Sequence, residues 1–392
     1  MFKVYLIKFY NVLRFFFYNI INIIINLSPY QITSKTLLII RLDSIGDYLL
    51  VRNYLRLFKS SKKYCDYKIT LCGNIVWKDL AETFDADVID DFIWLDRKKF
   101  NNNLFYKYKL LKQIHHKGFE VVIDTTFSRE ILYGDSIVKT SRAKERIGSS
   151  GSPDSYVKWK RNLISNRFYT KLIQHSTNNL FEFYRNKEFF GQIFEEPNNI
   201  SQPKMLVENI QMKLPTKNDY IVIFPGAQEK KRMWPEENFK IIIKEILNKY
   251  SFDIIIAGSN NEKEIAERLL ENLNKERVFD LTGRTTLPEL AKLISLSKLL
   301  ISNETSAVHF AASVGTKFIC VSNGNHYGRF NPYPKEMNVM GKYIYPPEIQ
   351  NKINDFENLS NKYRFYSDLD INSISPETVI ITLSQILLND FL

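Results

Sequence analysis

Three stretches of the 392-residue chain carry residue types that could do chemistry. In "RLDSIGDYLL", residues 41–50, Arg41, Asp43 and Asp47 surround Gly46 where an apolar run gives way to a helical pattern. Gly46 would let the backbone turn sharply there. Two readings of Asp47 stand: an N-cap accepting bonds from orphan amides, or a general base at a binding cleft. In "FPGAQEKKRMWPEENF", residues 224–239, Pro225-Gly226-Ala227 leads into Lys230, Lys231 and Arg232 ahead of a helix start at Pro235. A solvated charge run is the plain reading, and a phosphate clamp the functional one. In "LISNETSAVHFAASVGTKFICVSNG", residues 300–324, Asn303-Glu304-Thr305-Ser306 opens a helix with His309 on its first turn. A helix N-terminus lined by hydroxyls suits a diphosphate. A lone helical histidine is more often structural than a ligand.

These stretches need elements to hold them. Short apolar runs at Thr36–Ile40, Lys68–Cys72, Phe92–Leu95 and Val121–Ile123 alternate with helical patterns at Asp47–Lys59 and Leu104–His116. The alternation lapses over 140–214, which ends in the Pro/Asn/Lys-rich "PNNISQPKMLVENIQMKLPTKND", read as a linker. It resumes with strands at Tyr220–Phe224, Asp253–Ala257, Val278–Leu281, Leu299–Ser302 and Lys317–Ser322, separated by helices, and closes with a helix over Pro376–Leu388. Apolar runs of this kind are strands of parallel sheets buried on both faces. The expected architecture is α/β, with two doubly wound Rossmann-like domains, 35–214 and 215–392, facing a cleft. All three stretches fall on loops after strands, where open α/β sheets bind ligands.

Composition narrows the partners. Fifty-four Lys+Arg against 43 Asp+Glu leave a net charge of +11, which favours an anionic partner without naming it. Residues 1–34 form an amphipathic, hydrophobic segment in which Asn19, Asn22 and Asn26 recur at helical spacing among aliphatic and aromatic residues. Such a helix suits a membrane interface. The asparagines and Ser28-Pro29 leave it short of a span, and no clear cleavage site marks a signal peptide. An ordinary docked helix is the other reading. Cys65, Cys72 and Cys320 have no metal-ligand spacing and fit a reducing compartment. There is no Walker loop, G-x-G-x-x-G, nucleophile elbow or HExxH. The acidic pairs Asp85/Asp87 and Asp368/Asp370 could hold a divalent ion, but such pairs arise often by chance.

The three stretches, in this order and spacing, resemble the heptosyltransferase family, glycosyltransferase family 9. "LTGRTTLPELAKLISLSKLLISNETSAVHFAASVGTKFICV" is similar to the family's L-x-G-x-[TS]-x-L-x-E-L followed by a strand and N-D-T-G-x-x-H-x-A-A-x-x-G-T. "RLDSIGDYLL" is similar to R-x-D-x-x-G-D-x-[LV]-L, and "SRAKERIG" to a stretch of the first domain. The resemblance covers residues 36 to about 335 and implies a GT-B fold. It implies Asp47 as the base that deprotonates the acceptor hydroxyl. Arg232 and Lys231, with Asn303, Glu304, Thr305, Ser306 and His309, would bind the donor's diphosphate and sugar. Gly226, Gly258 and Glu262 would bind the nucleotide, Glu262 through the ribose. Gly46, Arg129, Arg142 and Arg146 would face the acceptor, within a basic segment that also holds Lys139 and Lys144. Two departures stand out: Glu304 for Asp and Ser306 for Gly, which bear on the donor sugar.

The implied activity is an inverting transfer from a nucleotide-diphosphate sugar, ADP-heptose or a related donor, without a metal or other cofactor. The acceptor would be an anionic lipid-linked or lipopolysaccharide-type glycan. The enzyme would be peripheral to the cytoplasmic face of a bacterial membrane. A protein acceptor within the same family is a second reading, and a non-catalytic nucleotide- or glycan-binding protein a third. No recognised motif supports nucleic-acid binding.

Overall fold

The computed structural model describes residues 20–151, 158–176, 180–195, 198–271, 273 and 276–388. It divides into two compact units, one built from residues up to 178 with 185–199, the other from 179–184 and 200 onward. The expected boundary at 214 moves earlier. Residues 200–214 belong to the second unit, where the Met205 amide donates to the Ser313 carbonyl and Met205 and Val207 are buried.

The first unit is built on β1 (Thr33–Arg41), α1 (Ile45–Leu55), β2 (Lys68–Asn74), β3 (Asp91–Leu95), α2 (Leu104–Lys117), β4 (Phe119–Asp124), α3 (Gly134–Ser141), β5 (Glu145–Ser149) and β6 (Lys171–Ile173). α4 (Glu182–Phe194) follows, its first residues counted with the second unit. All six strands are parallel, in the order β3-β2-β1-β4-β5-β6. Leu37–Ile40 are fully buried, as a parallel strand covered on both faces requires. β5, β6 and α4 arise within the region where the sequence pattern lapses. β5 opens on Glu145-Arg146 and β6 has only three residues, so neither carries an apolar run long enough to read.

The second unit repeats the order. It contains β7 (Tyr220–Phe224), α5 (Glu236–Lys249), β8 (Asp253–Ile256), α6 (Lys263–Leu270), β9 (Val278–Asp280), α7 (Leu287–Leu296), β10 (Leu299–Asn303), α8 (Ser306–Val314), β11 (Phe318–Val321), β12 (Gly341–Ile344), α9 (Phe356–Tyr363) and α10 (Pro376–Leu388). The parallel sheet runs β12-β11-β10-β7-β8-β9. α7 starts at a capping box: Thr286 accepts from the Glu289 amide while the Glu289 carboxylate accepts from the Thr286 amide. α10 closes the unit, with Val379, Leu383 and Leu387 in the core beside Ile221, Phe239 and Ile254.

Strand order reverses between β1 and β4 in the first sheet, and between β7 and β10 in the second. These are the topological switch points at which doubly wound sheets open a crevice. The connection from β1 into the first turn of α1 brings Asp47 there, the loop after β7 carries Arg232, and the connection from β10 into α8 carries Asn303–Ser306.

The N-terminal expectation lies partly outside the described residues, which begin at 20. The helical turn 20–26 is docked on the first unit, and Asn22 of the asparagine stripe faces inward. The Thr140 hydroxyl donates to Asn22 Oδ1 at 2.7 Å, while Ile21 and Ile25 join the core with Leu110, Ile114 and Val138.

Candidate active site

In the first unit the loop after β1 is pinned from several sides. Asn74 Nδ2 donates to the Leu42 and Asp43 carbonyls, Trp77 Nε1 to the Asp43 carbonyl and Arg97 Nη1 to the Leu42 carbonyl. Arg41, 1% exposed, donates from Nη1 to the Thr125 carbonyl at 2.8 Å. Its Nε lies 3.1 Å from Asp43 Oδ2 and its Nη2 3.7 Å from Asp47 Oδ1. Ser44 holds the N-cap position of α1, so Asp47 is not the cap; it sits in the first helical turn, partly exposed. Gly46 is helical as well and does not make the turn. The arrangement is a partly exposed carboxylate beside a buried guanidinium at a switch point, a group able to accept a proton.

The basic residues expected to face an acceptor are arranged otherwise. Arg129 is buried, its Nη1 donating to Asp135 Oδ1 at 3.0 Å and its guanidinium stacked 4.3 Å from the Tyr169 ring. Arg142 and Arg146 precede or open β5, at the N-terminal edge of the sheet and away from the Asp47 loop. Arg142 donates to the Asn26 carbonyl, and Arg146 to the Phe168 and Ala143 carbonyls. Arg129 is thus engaged by Asp135 and Asn166, while Arg142 and Arg146 lie at the opposite end of the strands from the β1 loop, which local sequence could not foretell. Of the acidic pairs, Asp85 pairs with Arg52, Asp87 with Arg56, and Asp370 accepts from the Asn372 amide. Among the described residues no group of three or more His, Cys, Asp or Glu side chains is disposed to hold a metal.

A buried cluster lies beside this loop. Asp124, at the end of β4, is fully buried, and Tyr169 Oη stands 3.1 Å from its Oδ2 and 2.6 Å from Asp135 Oδ1. One hydroxyl can donate to one carboxylate only. Asp135 is paired with Arg129, so Asp124 is the group that keeps a proton and donates it to Tyr169. Burial, followed by the Asp135 charge, accordingly pushes its carboxyl up to about 7. Gly134 is required here, since a Cβ would stand 2.4 Å from Asp124 Oδ2.

In the second unit one side chain ties two loops together. Asn303, fully buried at the end of β10, accepts from the Trp234 amide at 3.0 Å and donates to the Pro225 carbonyl at 2.5 Å. Its side chain thereby clamps both ends of the loop after β7 to β10. Trp234 packs in the core, as its type predicts. Arg232 Nη2 donates to the Glu304 carbonyl at 2.6 Å and lies 3.3 Å from Glu304 Oε1. Glu304 Oε2 accepts from the Ser322 hydroxyl at 2.5 Å. Burial pushes the Glu304 carboxyl above the usual range, opposed by Arg232, Ser322 and Asn331. The glutamate therefore folds back onto Arg232 and the β11 loop.

Thr305 is the N-cap of α8, its hydroxyl accepting from the Ala307 amide, and Ser306 is the first helical residue. His309 is buried, with Nδ1 2.8 Å from Tyr333 Oη. Burial and then the Arg232 charge push the ring down to about 3, so it is neutral at pH 7. Lys231 is more exposed, over the Tyr366 ring at 3.7 Å and 3.3 Å from Glu229. Glu262 forms a capping box with Ser259 through Oε2. Gly226 and Gly258 admit it: a Cβ on Gly226 would meet Glu262 Cγ at 2.5 Å, and one on Gly258 would meet its Cβ at 3.0 Å.

Ser322, Asn331 and Tyr333 were not singled out from sequence. All follow β11 in "VSNGNHYGRFNPYP", whose density of Asn, Gly and Tyr after a buried strand is the signal that could have marked them. The second unit thus offers a largely buried guanidinium, a capped helix N-terminus and a neutral imidazole at the switch point between β7 and β10.

Residues 107–359, more than half of the chain, match the family described as glycosyltransferase family 9 (heptosyltransferase). The chain belongs to that family. Among curated relatives, lipopolysaccharide heptosyltransferase 3 of Escherichia coli is 24% identical over 121 residues, 30% of this chain and 35% of the relative. Lipopolysaccharide heptosyltransferase 2 of Salmonella typhimurium is 25% identical over 112 residues, 28% of this chain and 30% of the relative. These matches span about a third of the curated relatives' length. Solved structures are similar along nearly their whole length. E. coli ADP-heptose lipopolysaccharide heptosyltransferase II superposes with TM-score 0.66 at 15% identity, covering 91% of this chain and all of that one. The E. coli heptosyltransferase WaaC with ADP-2-deoxy-2-fluoro heptose gives 0.65 at 16%, covering 89% and 99%. A family 9 glycosyl transferase from Veillonella parvula gives 0.69 at 16%, covering 91% and 98%. At these identities the likeness establishes the two-sheet fold of the family.

Proposed function

We propose that the chain transfers a sugar, heptose or a close relative, from a nucleotide-diphosphate donor to a hydroxyl of a lipopolysaccharide-type or other surface glycan. The observation that carries this reading is the Arg232–Glu304 arrangement at the start of α8. A largely buried guanidinium, helix amides and the neutral His309 ring meet where a diphosphate would sit. As the glycosidic bond to the donor breaks, negative charge gathers on the leaving diphosphate. Preformed donors and a helix N-terminus stabilise that charge with little reorganisation. Asp47 supplies the other half of the chemistry by taking the proton of the attacking hydroxyl, and attack opposite the leaving group inverts the anomeric centre.

These residues suffice for transfer without a metal. The relatives named for ADP-heptose and lipopolysaccharide support those two as donor and acceptor classes. Glu304 in place of the family's aspartate, drawn toward Ser322, is the residue on which the choice of donor sugar would turn. A lipid-borne acceptor would have the enzyme work against the cytoplasmic face of a membrane. The test is a thermal-shift screen with ADP, UDP, GDP and their sugar conjugates, repeated on Arg232→Ala. Stabilisation by one nucleotide diphosphate, lost in the variant, supports the reading; no stabilisation by any of them overturns it.

A further inference from the structure

The docked turn 20–26 exposes the side that a helix packed on a protein ordinarily hides. Its polar Asn22 is buried against Thr140, while Ile23, Ile24 and Leu27 are 57%, 49% and 80% exposed. The turn is fixed in this orientation. Ile21 and Ile25 are seated in the core, and Arg142 Nη1 and His115 Nε2 hold the Asn26 and Ser28 carbonyls. A lone exposed Leu needs no explanation, but three large aliphatic side chains on one short helical face call for a partner.

The surroundings say which partner. The exposed Arg142 lies over the Tyr30 ring at 4.4 Å, and Lys139 precedes it on α3. α2, which also packs here, contributes Lys109, Lys112 and His116 and contains no carboxylate. The one acidic residue of α3, Asp135, is buried at its far end. Residues 1–42 include Lys3, Lys8, Arg14, Lys35 and Arg41 but no Asp or Glu. An aliphatic strip edged by an aromatic ring and cations, with no anionic side chain of its own, has the makeup of an interfacial helix on an anionic bilayer. No described helix is long and apolar enough to cross a membrane.

We propose that the face formed by Ile23, Ile24 and Leu27, with Arg142 and Lys139 beside it, seats the first unit on an anionic phospholipid surface. Aliphatic side chains enter the headgroup boundary, and the cations meet lipid phosphates. This gives the basic segment that precedes β5 a role that its distance from the Asp47 loop denies it at the acceptor. The inference deepens the reading of a membrane-borne acceptor and rests on it.

The test is co-sedimentation of the full chain with phosphatidylglycerol–phosphatidylcholine vesicles and with phosphatidylcholine alone, each at low and physiological salt. The native chain should pellet with the anionic vesicles and weaken with salt. Ile24→Asp/Leu27→Asp should lower the partition coefficient at least tenfold, and Arg142→Gln several-fold for anionic vesicles only. All these positions are exposed, and melting temperature and nucleotide stabilisation are recorded on the same samples. Lost vesicle binding with nucleotide stabilisation intact supports the surface. Native-like partition of the aspartate variant, or no native partition, overturns it even where the nucleotide result holds. A native dimer that the aspartates dissociate overturns it in favour of a second copy as the occupant.

Discussion

Replacing Asp124 by Asn should make the protein more stable, and increasingly so as pH rises. In the native chain the Asp124 carboxyl is buried with one hydroxyl, Tyr169, standing between it and Asp135. Arg129 neutralises Asp135, Arg161 is a further cation near both, and Thr126 donates its amide to Asp124 Oδ1. The folded group titrates at about 7 against an ordinary 3.8, a raised value. Between those two values the unfolded chain has lost the proton that the folded one keeps. Stability therefore falls as pH rises from about 4 to about 7 and is level above that. Three units at about 1.4 kcal/mol each amount to about 4 kcal/mol. An asparagine keeps the Thr126 bond, donates an N–H to Tyr169 where the acid donated its O–H, and has no charge to bury. Denaturant titrations of both proteins from pH 5 to pH 8 should show the Asp124→Asn variant gaining ground with pH, by several kcal/mol at the upper end. A pH-independent difference, or a variant that loses ground with rising pH, would refute the assignment of the proton. Asp135→Asn is the contrast: it strands Arg129 and should cost about 3–5 kcal/mol.

Further outcomes concern the reaction. Asp47→Asn should lower turnover about a hundredfold or more, while nucleotide affinity measured by calorimetry stays within twofold. Arg232→Ala should weaken nucleotide-diphosphate binding about tenfold or more and lower the melting temperature, because the Glu304 carboxylate loses its cation. Tyr333→Phe keeps the ring but removes the hydroxyl 2.8 Å from His309 Nδ1. The His309 ¹⁵N shifts should report an altered tautomer balance, with donor kcat/KM reduced and the melting temperature little changed.

The sheets and the motif loops were legible because both signals are local. Apolar runs such as Leu37–Ile40 and Ile254–Ile256 announce buried parallel strands, and the motifs lie in the loops that follow. The edges were not. β12 is "GKYI", three of whose four residues are partly or fully exposed, and β6 is a three-residue edge strand recognisable only by pairing with β5. The asparagine period near residue 22 was readable, but its direction was not. Whether an amide faces water or a buried threonine depends on α3, more than a hundred residues away. In the same way the sequence could not show that Asn303 hydrogen-bonds both ends of the loop after β7. Asp47 and Arg232 could be singled out because each lies just beyond a strand end, Asp47 in the first turn of α1 and Arg232 on the loop after β7.

The Asn303 clamp has a consequence for how binding would look in a calorimeter. It joins the Pro225 carbonyl to the Trp234 amide, so the two ends of the cationic loop are held to β10 before any ligand arrives. Nucleotide binding then need not freeze that loop, and its heat should scale with charge contacts rather than with chain ordering. The Trp234 amide becomes a built-in reporter. Its hydrogen exchange should be slow in the free protein and nearly unaltered by saturation, whereas Asn303→Ala should make it fast in the absence of ligand and slow in its presence.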